Sequence, residues 1–254
     1  MKLGFVGTGA ITAAIVTGLN SAPGKQHSIR LSPRNAKIAS ELATRLPGVL
    51  VAASNQDVLD SGDVIVLAVR PQVAQSVVSE LRFRPDHHVI SLISTFSLAS
   101  ISGLVAPATK VTRAVPLPSV ADRRGPTAIY PPDRLVAELF DRLGTAIEVE
   151  SESEFDALCA ATATIASYFA FADAIASWLA GQGVPGPKAR DYVTRIFAGL
   201  NVEVAGRSLK SLADGHSTRG GMNEQLLTHL AEHHVFENLS QGLDAVLRRI
   251  GSAS

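Results

Sequence analysis

The residues best suited to chemistry stand at the start of the chain, where Leu3–Val6 runs into Gly7-Thr8-Gly9 and then into Ala10-Ile11. Leu3–Val6 is a short apolar run that suits a buried strand, and Ala10–Leu19 has the composition of a helix. A strand, a glycine turn and a helix N-terminus in that order bring free backbone N–H groups and the positive end of the helix dipole to one point, which is an anion site. Gly7 permits the tight turn, and Gly9 lets a pyrophosphate approach the backbone. The last glycine of the dinucleotide fingerprint is replaced by Thr12, with Ala13 beside it, so the match is partial and its context carries it.

The second strand, Ser28–Leu31, runs into Ser32-Pro33-Arg34-Asn35 without an acidic residue. In nucleotide-binding folds an acid at this point binds the two ribose hydroxyls of NAD, and an arginine accommodates the additional phosphate of NADP. Ser32 is expected to donate to the 2′-phosphate and Arg34 to neutralise it and stack, so the expected cofactor is NADP(H). Ala68-Val69-Arg70-Pro71-Gln72 follows the β-branched run at the carboxyl end of a buried strand, where such folds open their crevice, and Pro71 fixes the turn against the ligand. A second glycine pair, Gly220-Gly221, precedes a helix starting near Glu224 and suits a carboxylate. His229 and His233 are four residues apart, but no water-activating motif accompanies them, and no metal is assigned. The single cysteine, Cys159, lies in an alanine-rich stretch and is read as a buried thiol.

The elements that must position these residues alternate between strand and helix up to about residue 150. Strands are expected at Ser28–Leu31, Val49–Ala52, Val64–Val69, His88–Ile93, Lys110–Ala114, Ala128–Tyr130 and Ala146–Val149, and helices at Ala36–Arg45 and Val73–Leu81. Such alternation implies a parallel sheet with right-handed crossovers, a Rossmann-type doubly wound α/β domain over 1–150. Beyond it, Ser153-Glu-Phe-Asp reads as a capped helix start. Helices follow at Phe155–Gly181, Lys188–Ala205, Glu224–Ala231 and Val235–Ile250, giving an all-helical domain over 151–254. A helix as apolar as Phe155–Ala180 needs cover on nearly all sides, and a homodimer supplies it more economically than an intrachain bundle.

Acidic and basic side chains balance at 23 each, which excludes an electrostatic case for nucleic acid or an anionic membrane. The uncharged stretch Ala157–Ala172 is shorter than the roughly 20 residues a bilayer requires. Lys2 is followed at once by the first strand, so no signal peptide is read, and the expectation is a soluble cytoplasmic protein.

In order and spacing, several segments resemble the pyrroline-5-carboxylate reductase family: Gly4-Phe-Val-Gly-Thr-Gly9, Ser32-Pro-Arg34, Asn55, Asp63–Gln72, Val89-Ile-Ser-Leu92, Val111-Thr-Arg-Ala-Val-Pro116, Gly125–Tyr130 and Ser217–Asn223. The resemblance implies a helical domain that dimerises and hydride transfer from NADPH to the carbon of a cyclic imine. It also implies that the late loop holds a substrate carboxylate through the hydroxyl of Thr218 and the amides of Met222 and Asn223, with Asn55 near the adenosine ribose. Asn223 stands where the family places a threonine near the substrate nitrogen, and Arg219 replaces a proline and could meet a second acidic group. Reduction of a protonated imine needs placement and exclusion of water more than a strong acid. The departures cluster around the expected substrate, so a related imino acid stands beside pyrroline-5-carboxylate, and a catalytically silent NADP-binding sensor or partner subunit is the alternative. β-Hydroxyacid dehydrogenases would place a lysine on the long helix, and none occurs between Lys110 and Lys188.

Overall fold

The computed structural model describes residues 1–24, 27–203 and 206–252. Its first part is β1 (Lys2–Val6), α1 (Ala10–Ser21), β2 (Ser28–Leu31), α2 (Ala36–Arg45), β3 (Val49–Val51), α3 (Asn55–Ser61), β4 (Val64–Leu67), α4 (Pro71–Ser79), β5 (His88–Ser91), α5 (Leu98–Leu104), β6 (Lys110–Pro116), β7 (Pro126–Tyr130), α6 (Arg134–Asp141) and β8 (Thr145–Glu148). The eight strands form one sheet in the order β3-β2-β1-β4-β5-β6-β7-β8. The order reverses beside β1, which is the topological switch point where open α/β sheets bind ligands.

Both faces of the sheet are buried because the strand residues alternate. Leu3, Phe5, Val64 and Val66 pack with Ile15, Leu19 and Phe140 on one face. Val6, Ile65, Leu67 and Val89 pack with Leu59, Val78 and Ile101 on the other. One pairing departs from the expected parallel sheet: β7 runs antiparallel to β6, with Arg113 opposite Tyr130 and Ala114 opposite Ile129. The link between them is only a 3₁₀ turn, Pro118–Asp122, and a parallel return requires a crossover of a dozen or more residues. The crossover helix α6 then brings β8 in parallel to β7.

The helical part comprises α7 (Glu152–Ala161), α8 (Thr164–Gly181), α9 (Gly186–Glu203), α10 (Leu209–His216), α11 (Met222–Glu232) and α12 (Val235–Ser252). The cap of α7 is Ser151, two residues before the expected Ser153. Its hydroxyl accepts from the Glu154 N–H at 3.2 Å, while Glu154 Oε2 accepts from the Ser151 N–H at 3.1 Å, a reciprocal capping box. The expected single helix is interrupted at Thr162–Ala163, where the Thr164 hydroxyl donates to the Ala161 carbonyl at 2.7 Å. The end expected at Ala205 lies outside the described residues.

Two compact units emerge from the contacts: Met1–Ala160 with Leu247–Ser254, and Ala161–Val246. The expected division at residues 150 and 151 falls at the head of α7. Within the first unit α7 is anchored by Arg113, whose side chain is only 1% exposed. Arg113 Nη1 donates to Glu152 Oε1 at 2.6 Å, Nη2 lies 3.0 Å from Asp156 Oδ1 and 2.9 Å from the Ser94 carbonyl, and the guanidinium sits 4.4 Å from the Phe155 ring centre. By length and composition Glu152–Gly181 passes as a membrane span. Its first third is nevertheless committed to this buried ion network and to the packing of Phe155, Cys159 and Ala160. In the second unit α8 packs on α9 through Tyr168, Phe171 and Phe197. No residue of α8 is fully buried within the chain, and Phe169 and Trp178 remain 64% and 63% exposed.

Candidate dinucleotide site and substrate loop

At the end of β1, Gly7 adopts φ +102°, and a Cβ there would lie 2.5 Å from the Ala68 carbonyl oxygen, so only glycine fits. Gly9 is different: a Cβ would meet nothing within 4 Å, so the backbone faces an open cradle. Gly9 also caps α1 without a side-chain bond, and no acid stands in the first turn. The amides of Gly9, Ala10 and Ile11 have no partner among the described residues, as an anion site at a helix N-terminus requires.

The cradle opens into a cavity of about 320 Å³ lined by Gly7, Thr8, Gly9, Arg34, Asn35, Ala68, Val69, Arg70 and Val73. The first strand–helix turn, the end of β2 and the β4–α4 loop thus converge as the sequence leads one to expect. Arg34 and Arg70 bring two positive charges, and no acid lines the cavity among the described residues. Pro71 opens α4 as its first residue, where a missing N–H costs nothing. Ala10 and Ile11 open α1, with Ile11 leaning into the core. Asn55 is the first residue of α3, after the Ser54 cap, and is not among the lining residues.

Ser32 requires a correction. It is 0% exposed, and its hydroxyl accepts the Gly7 N–H at 3.0 Å instead of facing the cavity. The direct bond from Ser32 to a 2′-phosphate is therefore not the arrangement present, and the Gly7 amide is likewise already used. The reason is position: Ser32 directly follows β2 and its N–H donates to the Phe5 carbonyl of β1 at 3.0 Å, which sets its hydroxyl inside, beside the glycine turn. Asn35 and Val73 are lining residues that the sequence reading passed over. Asn35 carries a signal, since it caps α2 at φ 63°, and asparagine is among the few residues that tolerate this region.

The second glycine pair lies in the helical unit. Gly220 has φ +73° and Gly221 caps α11. The Gly221 N–H donates to the Thr218 carbonyl at 2.8 Å, closing the turn. Thr218, Arg219, Met222 and Asn223 are exposed. Gly220, Gly221 and Met222 line a cavity of about 930 Å³ with Trp178, Glu224 and His229. Two features modify the expected carboxylate loop. Glu224 Oε2 accepts the Gly220 N–H at 2.6 Å, placing the loop's own carboxylate at the turn. Asn223 Nδ2 donates to the His216 carbonyl at 3.1 Å, which commits its donor to the backbone. The amides of Met222 and Asn223 have no partner among the described residues. The His229 and His233 rings lie 4.2 Å apart between centres, tilted by 41°, and His233 Nδ1 bonds to the His229 carbonyl.

Residues 2–95 match the family model described as NADP oxidoreductase, coenzyme F420-dependent, and residues 152–252 match that described as pyrroline-5-carboxylate reductase dimerisation. The crystal structure of 1-pyrroline-5-carboxylate reductase from Streptococcus pyogenes superposes with a TM-score of 0.85 at 26% identity, over 99% of this chain and 98% of that one. The chain belongs to the pyrroline-5-carboxylate reductase family.

Among reductases of this family, that of Vibrio alginolyticus is 25% identical over 98% of this chain and 96% of its own length. That of Pseudomonas aeruginosa is 26% identical over 66% of this chain, and the match spans 64% of the relative. The dimerisation match begins at the first residue of α7 and contains the exposed aromatic face of α8.

Proposed function

We propose that the protein is an NADPH-dependent reductase of a cyclic imino acid, converting pyrroline-5-carboxylate, or a close relative of it, to proline or the corresponding amine. The observation that carries this reading is the open cradle at Gly9, flanked by Arg34 and Arg70 and free of acids. A Cβ-free backbone admits a pyrophosphate, the unpaired amides of Gly9, Ala10 and Ile11 bind it, and the arginine after β2 selects the 2′-phosphate. NADPH bound there supplies the hydride.

The chain's own residues then bind and place the substrate. The Met222 and Asn223 amides and the Thr218 hydroxyl hold a carboxylate at the positive end of α11. Asn223, with its Nδ2 tied to His216, keeps its carbonyl oxygen as the remaining polar atom and so can accept from a protonated imine nitrogen. An imine that arrives protonated needs no general acid, which accounts for a site without a catalytic histidine or lysine. In this reading the protein works on a small molecule in the cytoplasm, self-associates through the helical region, and has no nucleic-acid or membrane partner.

The test is a spectrophotometric assay of purified protein with NADPH and pyrroline-5-carboxylate, with product identified as proline. Oxidation of NADPH with stoichiometric amine formation is the expected result. NADPH binding without turnover across five- and six-membered cyclic imino acids would sink the enzyme reading in favour of a sensor or partner subunit. Absence of NADPH binding would sink both.

A further inference from the structure

Three buried hydroxyls surround the glycine turn, and the dinucleotide reading uses none of them as a ligand. Thr8, Thr12 and Ser32 are 4%, 0% and 0% exposed. Thr12 Oγ1 donates to the Gly7 carbonyl at 2.7 Å, and Ser32 Oγ accepts the Gly7 N–H at 3.0 Å, so both polar atoms of one peptide residue are tied by side chains. Thr8 Oγ1 donates to the Ser32 carbonyl at 2.8 Å and lies 3.1 Å from Ser32 Oγ. The Ser32 N–H in turn donates to the Phe5 carbonyl at 3.0 Å. These bonds join two segments 24 and 25 residues apart in the chain, the turn that faces the pyrophosphate and the loop that carries Arg34.

We infer that Ser32 is a positioning residue, a latch that sets the Gly7–Gly9 turn and the Arg34 loop as one rigid cradle. The physical reason is satisfaction of buried polar groups. Gly7 sits at φ +102° with no ladder partner for its N–H, and a buried N–H without a partner is costly. The Ser32 hydroxyl removes that cost only when the turn and the end of β2 are in register. Binding of the pyrophosphate and of the ribose end is therefore coupled through a side chain that touches neither. The inference rests on the dinucleotide reading above, and it separates from direct contact by a clear signature: a latch serves every dinucleotide, and a direct phosphate ligand serves only NADPH.

The experiment measures dissociation constants for NADPH and NADH with wild type, Ser32→Ala, Thr8→Val, Thr8→Ser and Arg34→Ala. It also follows hydrogen exchange at the Gly7 amide in the ligand-free protein. Ser32→Ala is expected to weaken both dinucleotides by about tenfold, the loss of one buried hydrogen bond, and to expose the Gly7 amide to exchange. Thr8→Val should do the same in smaller measure and Thr8→Ser should restore binding, which guards against a Ser32 variant that folds poorly. Arg34→Ala should weaken NADPH alone. Loss confined to NADPH in Ser32→Ala, or unchanged binding of both dinucleotides, overturns the latch, as does unaltered exchange at Gly7. Wild-type protein that binds neither dinucleotide overturns the functional reading, while the exchange measurement still decides whether the latch exists.

Discussion

Two glycine turns in this chain lead into helices, and they are built in opposite ways. At Gly7–Gly9 the polar groups that shape the turn are buried and paired, and the helix amides are left open toward a cavity. At Gly220–Gly221 the turn is exposed, a neighbouring carboxylate already sits on one amide, and a Cβ at Gly220 would meet nothing within 4 Å. The contrast teaches that a glycine before a helix has two distinct uses. In the sheet unit the surroundings demand it, and in the helical unit only the local backbone does.

The sharpest way to break this comparison is to remove a buried polar tie from the sheet unit. Arg113→Ala would leave Glu152 and Asp156 facing each other without their cation, and should lower the unfolding free energy by about 4 kcal/mol in denaturant titrations. Gly7→Ala adds a methyl against the Ala68 carbonyl in a left-handed backbone, with an expected loss of about 3 kcal/mol and no measurable dinucleotide binding. Gly9→Ala should leave the melting temperature unchanged and weaken NADPH by at least about tenfold, because its methyl fills the space the pyrophosphate needs. Gly220→Ala should cost only about 1 kcal/mol, the strain of the left-handed region alone. If Gly220→Ala proved as damaging as Gly7→Ala, the distinction between the turns would collapse.

A smaller effect comes from pH and belongs to the sheet unit. Arg142 Nη1 donates to His27 Nε2 at 2.5 Å, and burial together with that guanidinium lowers the His27 pKa from 6.5 to about 4. His87, whose Nδ1 accepts the Arg84 N–H and whose Nε2 reaches the Leu59 carbonyl, is lowered as well, chiefly by burial. Both are neutral when folded and take up protons when unfolded below pH 6.5. Their stabilisation is thus complete above that pH and is lost as the pH falls, for His27 toward about 4. Denaturation midpoints recorded across this window should decline, and replacing His27 by Gln should flatten the decline.

Much of this was legible in the sequence, for physical reasons. The central strand Val64–Leu67 is a β-branched run buried on both faces and stands out from its neighbours, whereas Ser28–Leu31 is legible mainly by its place between the first helix and the Ser32-Pro33 turn. Short helices do not stand out. Asn55–Ser61, Leu98–Leu104, Arg134–Asp141 and Leu209–His216 span only two turns or so each and take their stability from packing, which composition does not record. The antiparallel β7 was hidden because a strand's direction depends on the length of its connection. In the cofactor site the residue types were readable, but Ser32 shows the limit: a hydroxyl at the right place in the chain can face inward. Glu224 marked the approximate start of a helix and proved to be an acid in the first turn of α11. Its return onto the Gly220 amide follows only from the left-handed turn that precedes it.

Cys159 gives the anchored helix a use beyond architecture. It is the only cysteine of the chain, it is 5% exposed, and burial pushes its thiol up to about 12. A thiolate is the reactive form, so the native protein should be silent toward alkylating reagents at neutral pH. Modification then measures how often α7 lifts from the sheet. The mass added at Cys159 is thus a clock for that motion, and Arg113→Ala should make it run faster.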